Sequence, residues 1–120
     1  LTFKKGEHPM GIFTLKKSSD GKYYFELKAG NNETILVSEM YQTKASAKTG
    51  IQSVKANARR KSAFVVGTSL DGKVYFNLKA TNGKVIGTSE TYESALAMVN
   101  GMDSIKSNAK KAVVVDLTKS

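Results

Sequence analysis

The residues with chemical potential are few, and they come in pairs. Ser38, Glu39 and Tyr41 return as Ser89, Glu90 and Tyr92. A hydroxyl, a carboxylate and a phenol this close in sequence have the groups needed for proton transfer. Catalysis further requires a nucleophile beside its base, paired carboxylates in a pocket, or a metal, and the sequence shows none of these arrangements. Recurrence of the same trio in both halves favours a structural role. Ser and Glu would satisfy backbone groups near a helix start, and Tyr would pack under the helix. With no Cys there is no disulfide, thiol catalysis or cysteine zinc site. His8 is the only His and has no ligating neighbours. Neither a P-loop nor a dinucleotide fingerprint is present. No catalytic residue, metal or cofactor is assigned, and the chain reads as non-enzymatic.

The second pattern with chemical content is aromatic and basic. Lys22, Tyr24 and Lys28 in one half match Lys73, Tyr75 and Lys79 in the other. If Phe25 and Phe76 face a core, these six residues lie on the opposite side of a sheet, joined by Glu26 and Asn77. Rings among lysines on an open antiparallel sheet suit the stacking and phosphate contacts of single-stranded nucleic acid. They also suit the solvated side of any sheet, where Tyr contributes cross-strand packing. Lys44, Lys48, Lys55 and Arg59, continuing into Arg60 and Lys61, form a second basic set on a helix. Their main reading is a solvated face, with anion binding the lesser one. Leu96 and Val99 offer an apolar flank for a protein partner.

The formal net charge is +9, from 19 Lys and Arg against 10 Asp and Glu in 120 residues. Such a balance attracts phosphate-bearing polymers at low salt and also keeps a small domain soluble. Lysines are spread through every segment instead of gathered in a tail. No apolar run, Ala112 to Val115 included, is long enough to span a bilayer. The expectation is a cytoplasmic protein that avoids membranes, a monomer with internal pseudo-symmetry, whose partner is unknown and is either a nucleic acid or a protein.

The elements that must position these residues follow from an internal repeat. Asp20 to Ala58 matches Asp71 to Ala109 without a gap at a constant offset of 51 positions, with about half the residues identical. A fixed period means one supersecondary unit used twice, and units this short must fold together. In each, an alternating segment (Tyr23, Phe25, Leu27, Ala29; Val74, Phe76, Leu78, Ala80) reads as a strand with one buried face. Asp20-Gly21, Asn31-Asn32, Asp71-Gly72 and Asn82-Gly83 supply hairpin turns. First strands are expected at Ile12–Lys17 and Ala63–Thr68, third strands at Thr34–Ser38 and Val85–Ser89. Thr43 and Ser94 are N-caps of helices buried through Ala47, Ile51, Val54 and Ala58, and through Met98, Met102, Ile105 and Ala109. Asn57 and Asn108 suit left-handed C-terminal caps. Gly50 and Gly101 inside the helices imply close packing, since each costs about 1 kcal/mol relative to Ala. Phe64 aligns with both Phe13 and Val115, so one central strand near 63–68 is expected to serve both units. The fold class is α+β: two tandem β(3)-α-β repeats, 10–62 and 63–120, sharing one antiparallel sheet with two helices on one face and approximate twofold symmetry.

The hairpins FELKAGN and FNLKATNGKVIGTSE, the helix ASAKTGIQSVKANA and the closing VVVDLT together resemble the YegP-like family, also described as UPF0339 or as tandem DUF1508 domains. The resemblance covers nearly everything from Met10 to Thr118. It implies repeated β(3)-α-β units sharing a sheet with exchanged terminal strands, and it implies no activity. The second helix, LAMVNGMDSIKSNA, departs by placing Val99 and Leu96 where the first has Lys48 and Ala45.

Leu1 to Pro9 lie outside the repeat. Lys4-Lys5-Gly6-Glu7 back-translates to a purine-rich string containing GGAG just ahead of Met10, the appearance of a ribosome-binding site read as protein. The native chain is therefore expected to begin at Met10, with 1–9 a mis-assigned start or an addition from cloning.

Overall fold

The computed structural model describes residues 11–119. The readings of Leu1 to Pro9 and of His8 fall outside them. The elements run β1 (Ile12–Lys17), β2 (Tyr23–Lys28), β3 (Thr34–Ser38), α1 (Lys44–Asn57), a single 3-10 turn at Lys61–Ala63, β4 (Phe64–Thr68), β5 (Val74–Lys79), β6 (Val85–Thr88), α2 (Ala95–Ala109) and β7 (Val113–Asp116). The turns form as their chemistry dictates. Gly21, Gly72 and Gly83 take φ between 84 and 86°, and Asn32 takes 70°, a region open to Gly and tolerated by Asn. The Thr43 and Ser94 hydroxyls accept from the amides of Ser46 and Ala97, capping both helices.

The seven strands form one sheet in the order β4-β5-β6-β3-β2-β1-β7. The repeats meet at its centre, where Val37 of β3 pairs with Thr88 of β6. These two residues are themselves equivalent under the offset of 51, so the pseudo-twofold axis passes between them. Both helices cover the same face. The core between consists of Phe13, Phe25, Leu27, Phe76 and Leu78 from the sheet, all 0% exposed, with Ile51, Val54 and Ile105 from the helices. Burying a large apolar side chain of this kind contributes about 1.5–3 kcal/mol. The phase expected for β2 and β5 is the observed one.

Four expectations need correction. Among the described residues no central strand serves both repeats: β4 pairs only with β5 and is an edge, because the chain after α1 runs to the outer side of repeat two and not to the seam between β3 and β6. The strand that closes repeat two, β7, crosses to the far edge and pairs with β1 in parallel, the one parallel pairing in an otherwise antiparallel sheet. Asn57 and Asn108 are not left-handed caps. Asn57 stays helical and turns its amide back onto the Ser53 carbonyl at 2.8 Å, as Asn108 does onto that of Ser104. Finally, Met102 is only partly buried where its counterpart Ile51 is fully so, a difference that follows from the two edges.

Candidate binding surfaces

The Ser-Glu-x-Tyr pair is structural. Ser38 Oγ accepts the amide of Phe25 at 2.8 Å and donates to the Glu39 carbonyl at 2.8 Å; Ser89 does the same for Phe76 and Glu90. It thus replaces a ladder bond at the point where the chain leaves the sheet. Tyr41 stacks on Phe25 with centroids 6.3 Å apart, and Tyr92 stacks on Phe76 likewise. Burial, with Glu39 nearby, raises the Tyr41 phenol above its ordinary value; burial and Glu90 do so first at Tyr92. Phenols so shifted stay protonated at neutral pH and are poor bases.

The registers define what the helix-free face carries. One row crosses all seven strands: Val115, Thr14, Glu26, Val37, Thr88, Asn77 and Val65. Tyr24 and Lys79 lie to one side of this row, Tyr75 and Lys28 to the other. Each ring is thus level with the lysine of the opposite repeat, three strand spacings or about 14 Å away. The two rings stand on a diagonal of about 20 Å, so they do not form one continuous stacking surface. The middle of the face is neutralised in repeat one, where Lys16 Nζ meets Glu26 at 2.7 Å and the Glu26 contact raises the Lys16 pKa. In repeat two Gly67 replaces Lys16 and Asn77 replaces Glu26. The Tyr75 ring lies across Gly67, with Cζ 2.6 Å from where a Cβ would be. Lys22 and Lys73 precede their strands in the Ser-x-Asp-Gly turns, and Lys73 is drawn to Glu93 at 3.2 Å. Of the six expected residues the face therefore gathers Tyr24, Lys28, Tyr75 and Lys79, in two separate pairs.

A denser basic site lies on the helix side. Lys55, Arg59, Lys106 and Lys110, with Ala58, line a cavity of about 180 Å³. Lys55 corresponds to Lys106 and Arg59 to Lys110, so both repeats contribute equally and the site is symmetric about the pseudo-twofold axis. All four belong to helix C-terminal turns or the residues just after, where the helix dipole favours cations. Among the described residues no carboxylate lines the cavity. Lys55 and Lys106 lie over the rings of Phe13 and Phe64 at 5.9 and 5.5 Å. The signal was present in the sequence: overlaying the repeats leaves cations at both copies of these positions, although nothing in the chain order says that the two helix ends meet.

Among the described residues no group of three or more His, Cys, Asp or Glu is placed to hold a metal ion, and no helix is long and apolar enough to cross a membrane.

A family described as a domain of unknown function, DUF1508, matches the chain twice, over residues 18–63 and 69–116. The UPF0339 protein YegP of Escherichia coli strain K12 is 46% identical over 108 residues, spanning 90% of this chain and 98% of its own. A UPF0339 protein of Acinetobacter baylyi is 45% identical over 108 residues, spanning 90% and 97%. The solution NMR structure of Escherichia coli YegP, described as a protein of unknown function, superposes with a TM-score of 0.88 at 45% identity, covering 96% of this chain and 99% of that one. That of a UPF0339 protein from Shewanella oneidensis gives 0.85 at 43%, covering 91% and 92%.

Proposed function

The chain belongs to the UPF0339 family of tandem DUF1508 repeats, and from that premise we propose that it is a non-enzymatic cytoplasmic module that binds a phosphate-bearing polymer, single-stranded nucleic acid being the class that fits. The observation that carries this reading is the convergence of Lys55, Arg59, Lys106 and Lys110 on one cavity that no carboxylate lines among the described residues. Four cations held by two helices present a fixed charge pattern that a flexible anionic strand can follow without sequence readout. The open sheet face, with rings about 20 Å apart and Glu26 at its centre, is the weaker candidate.

The test is fluorescence anisotropy of a labelled oligonucleotide against salt. Arg59→Glu with Lys110→Glu should abolish binding, and wild type should show a slope of log K against log salt near −3, as expected for about four contacts at about 0.7 each. Tyr24→Ala with Tyr75→Ala should leave binding intact. Loss of binding in the tyrosine variant with retention in the charge-reversed one would move the site to the sheet. Absence of binding at about 50 mM salt would end the reading altogether.

A further inference from the structure

The two edges of the sheet differ, although the repeats that form them match. β1 is flanked by β7, whereas β4, its counterpart 51 positions later, has no strand on its outer side among the described residues. The difference registers in burial. Phe13 and Leu15 of β1 are 0% exposed; at the matching positions Phe64 is half-buried and Val66 is 53% exposed.

The helices record the same difference. α1 grips β7 at both ends and in the middle: Lys44 Nζ meets Asp116 at 3.1 Å, Lys55 Nζ donates to the Ala112 carbonyl at 3.0 Å, and Ile51 lines a cavity with Val114. At the matching places α2 has Ala95, Lys106 and Met102, with Val99 for Lys48. This flank has lost its cations except one. Lys106 lies over Phe64 as Lys55 lies over Phe13, but the strand carbonyl that Lys55 caps has no counterpart. The flank and the edge together leave Val66, Val99 and part of Met102 exposed; Val66 and Met102 match Leu15 and Ile51, which are buried in repeat one, and Val99 matches the exposed Lys48.

We infer that the β4 edge and this flank of α2 form a docking site for an extended segment of another polypeptide, which joins the sheet as an eighth strand parallel to β4. The β7 seat defines the occupant. On β1 the Leu15 carbonyl accepts the Leu117 amide at 2.8 Å, so the matching Val66 carbonyl is the outward acceptor on β4. Main-chain bonds of this kind supply affinity, and alternate side chains supply selectivity. The occupant carries apolar, preferably β-branched residues where Val114 and Asp116 stand in β7, and no charge at the second of these. Ala95 replaces the Lys44 that pairs Asp116, so a carboxylate there keeps the hydroxyl and amide of its own chain's Thr118 but loses its cation. That mismatch makes β7 of a second copy a poorer occupant than an uncharged segment.

The test uses NMR amide and methyl shifts of the full chain titrated with two peptides. One carries residues 111–119 of this sequence; the other differs only in Thr at the place of Asp116. The Thr peptide should shift the amides of Phe64 to Thr68 and the methyls of Val99 and Met102, and should bind about tenfold more tightly than the Asp peptide, the cost of losing the one charged hydrogen bond that Lys44 gives Asp116 in β7. Val66→Lys should abolish the shifts while Val66→Thr keeps them; Val66 is 53% exposed, so both variants should retain the wild-type spectrum elsewhere. Three outcomes overturn the proposal: shifts confined to Ile12–Lys17, which would mean that the peptide displaces β7; no shifts at about 1 mM peptide, beyond useful affinity; or sedimentation as a dimer lost in Val66→Lys, which would make a second copy the occupant.

Discussion

The ring of Tyr41 stands where a methyl group on Gly50 would be. Its Cζ is 2.7 Å from that point, closer than real Cβ contacts allow, with Phe25 at 3.0 Å on the other side. Tyr92 and Gly101 repeat the relationship. Gly50→Ala gains about 1 kcal/mol of helix propensity and incurs about 1–3 kcal/mol of overpacking. The expected net effect is a lower Tm. Adding Tyr41→Ala should recover part of the loss, a coupling that a double-mutant cycle reads directly. A Tm increase in the single variant would show that the ring swings aside freely.

Matched phenylalanines should differ in weight according to the edge each occupies. Phe76→Ala and Phe13→Ala, both at fully buried sites, should cost about 3–5 kcal/mol. Phe64→Ala, half-buried at the open edge, should cost about 1–2 kcal/mol. Urea denaturation compares them, and equal losses at Phe13 and Phe64 would contradict the difference in edge packing.

Ser38→Ala and Ser89→Ala each remove the acceptor of a buried amide, that of Phe25 or Phe76. A loss of about 1–3 kcal/mol is expected for each, since the donor is left without a partner. Hydrogen exchange at those two amides should accelerate more than at their strand neighbours.

β7 is anchored by a carboxylate. The Thr118 hydroxyl at 2.6 Å and amide at 2.9 Å, and then Lys44, hold the Asp116 carboxyl well below the ordinary carboxylate range. A depressed carboxylate stabilises the fold at every pH above its unfolded value and loses that contribution as pH falls toward the folded one. β7 amides should therefore lose protection as pH drops below about 4, ahead of β2 and β5. Asp116→Asn should show the weaker protection already at neutral pH and no acid step of this origin. An unchanged pH profile in Asp116→Asn would assign the acid loss to other carboxylates.

Local structure was legible because local chemistry was decisive. Gly21, Gly72 and Asn32 fixed turns, Thr43 and Ser94 fixed helix starts, and the alternation about Phe25 and Phe76 fixed which face is buried. Strand order was not legible. Phe64 aligns equally well with Phe13 and with Val115, and period alone does not say that a strand after a helix will cross the whole sheet. Asn57 misled for a related reason: its bond to Ser53 is made inside the helix, where sequence position near the end suggested a cap. The candidate site divided along the same line. Tyr24 and Tyr75 were placed on the open face, yet their separation depends on the order of β2, β3, β6 and β5, and the meeting of Lys55 with Lys106 depends on how two helices converge.

The parallel pairing of Ile12 with Val113 also sets a schedule for protein synthesis. A ribosome delivers β1 before β7, with some hundred residues between them, so β1 keeps its outer edge bare until Val113 and the residues after it have emerged. Chains stalled before Val113 would display that edge to their neighbours on the polysome, which makes delivery of β7, more than the folding of either repeat, the event that closes the sheet on this side.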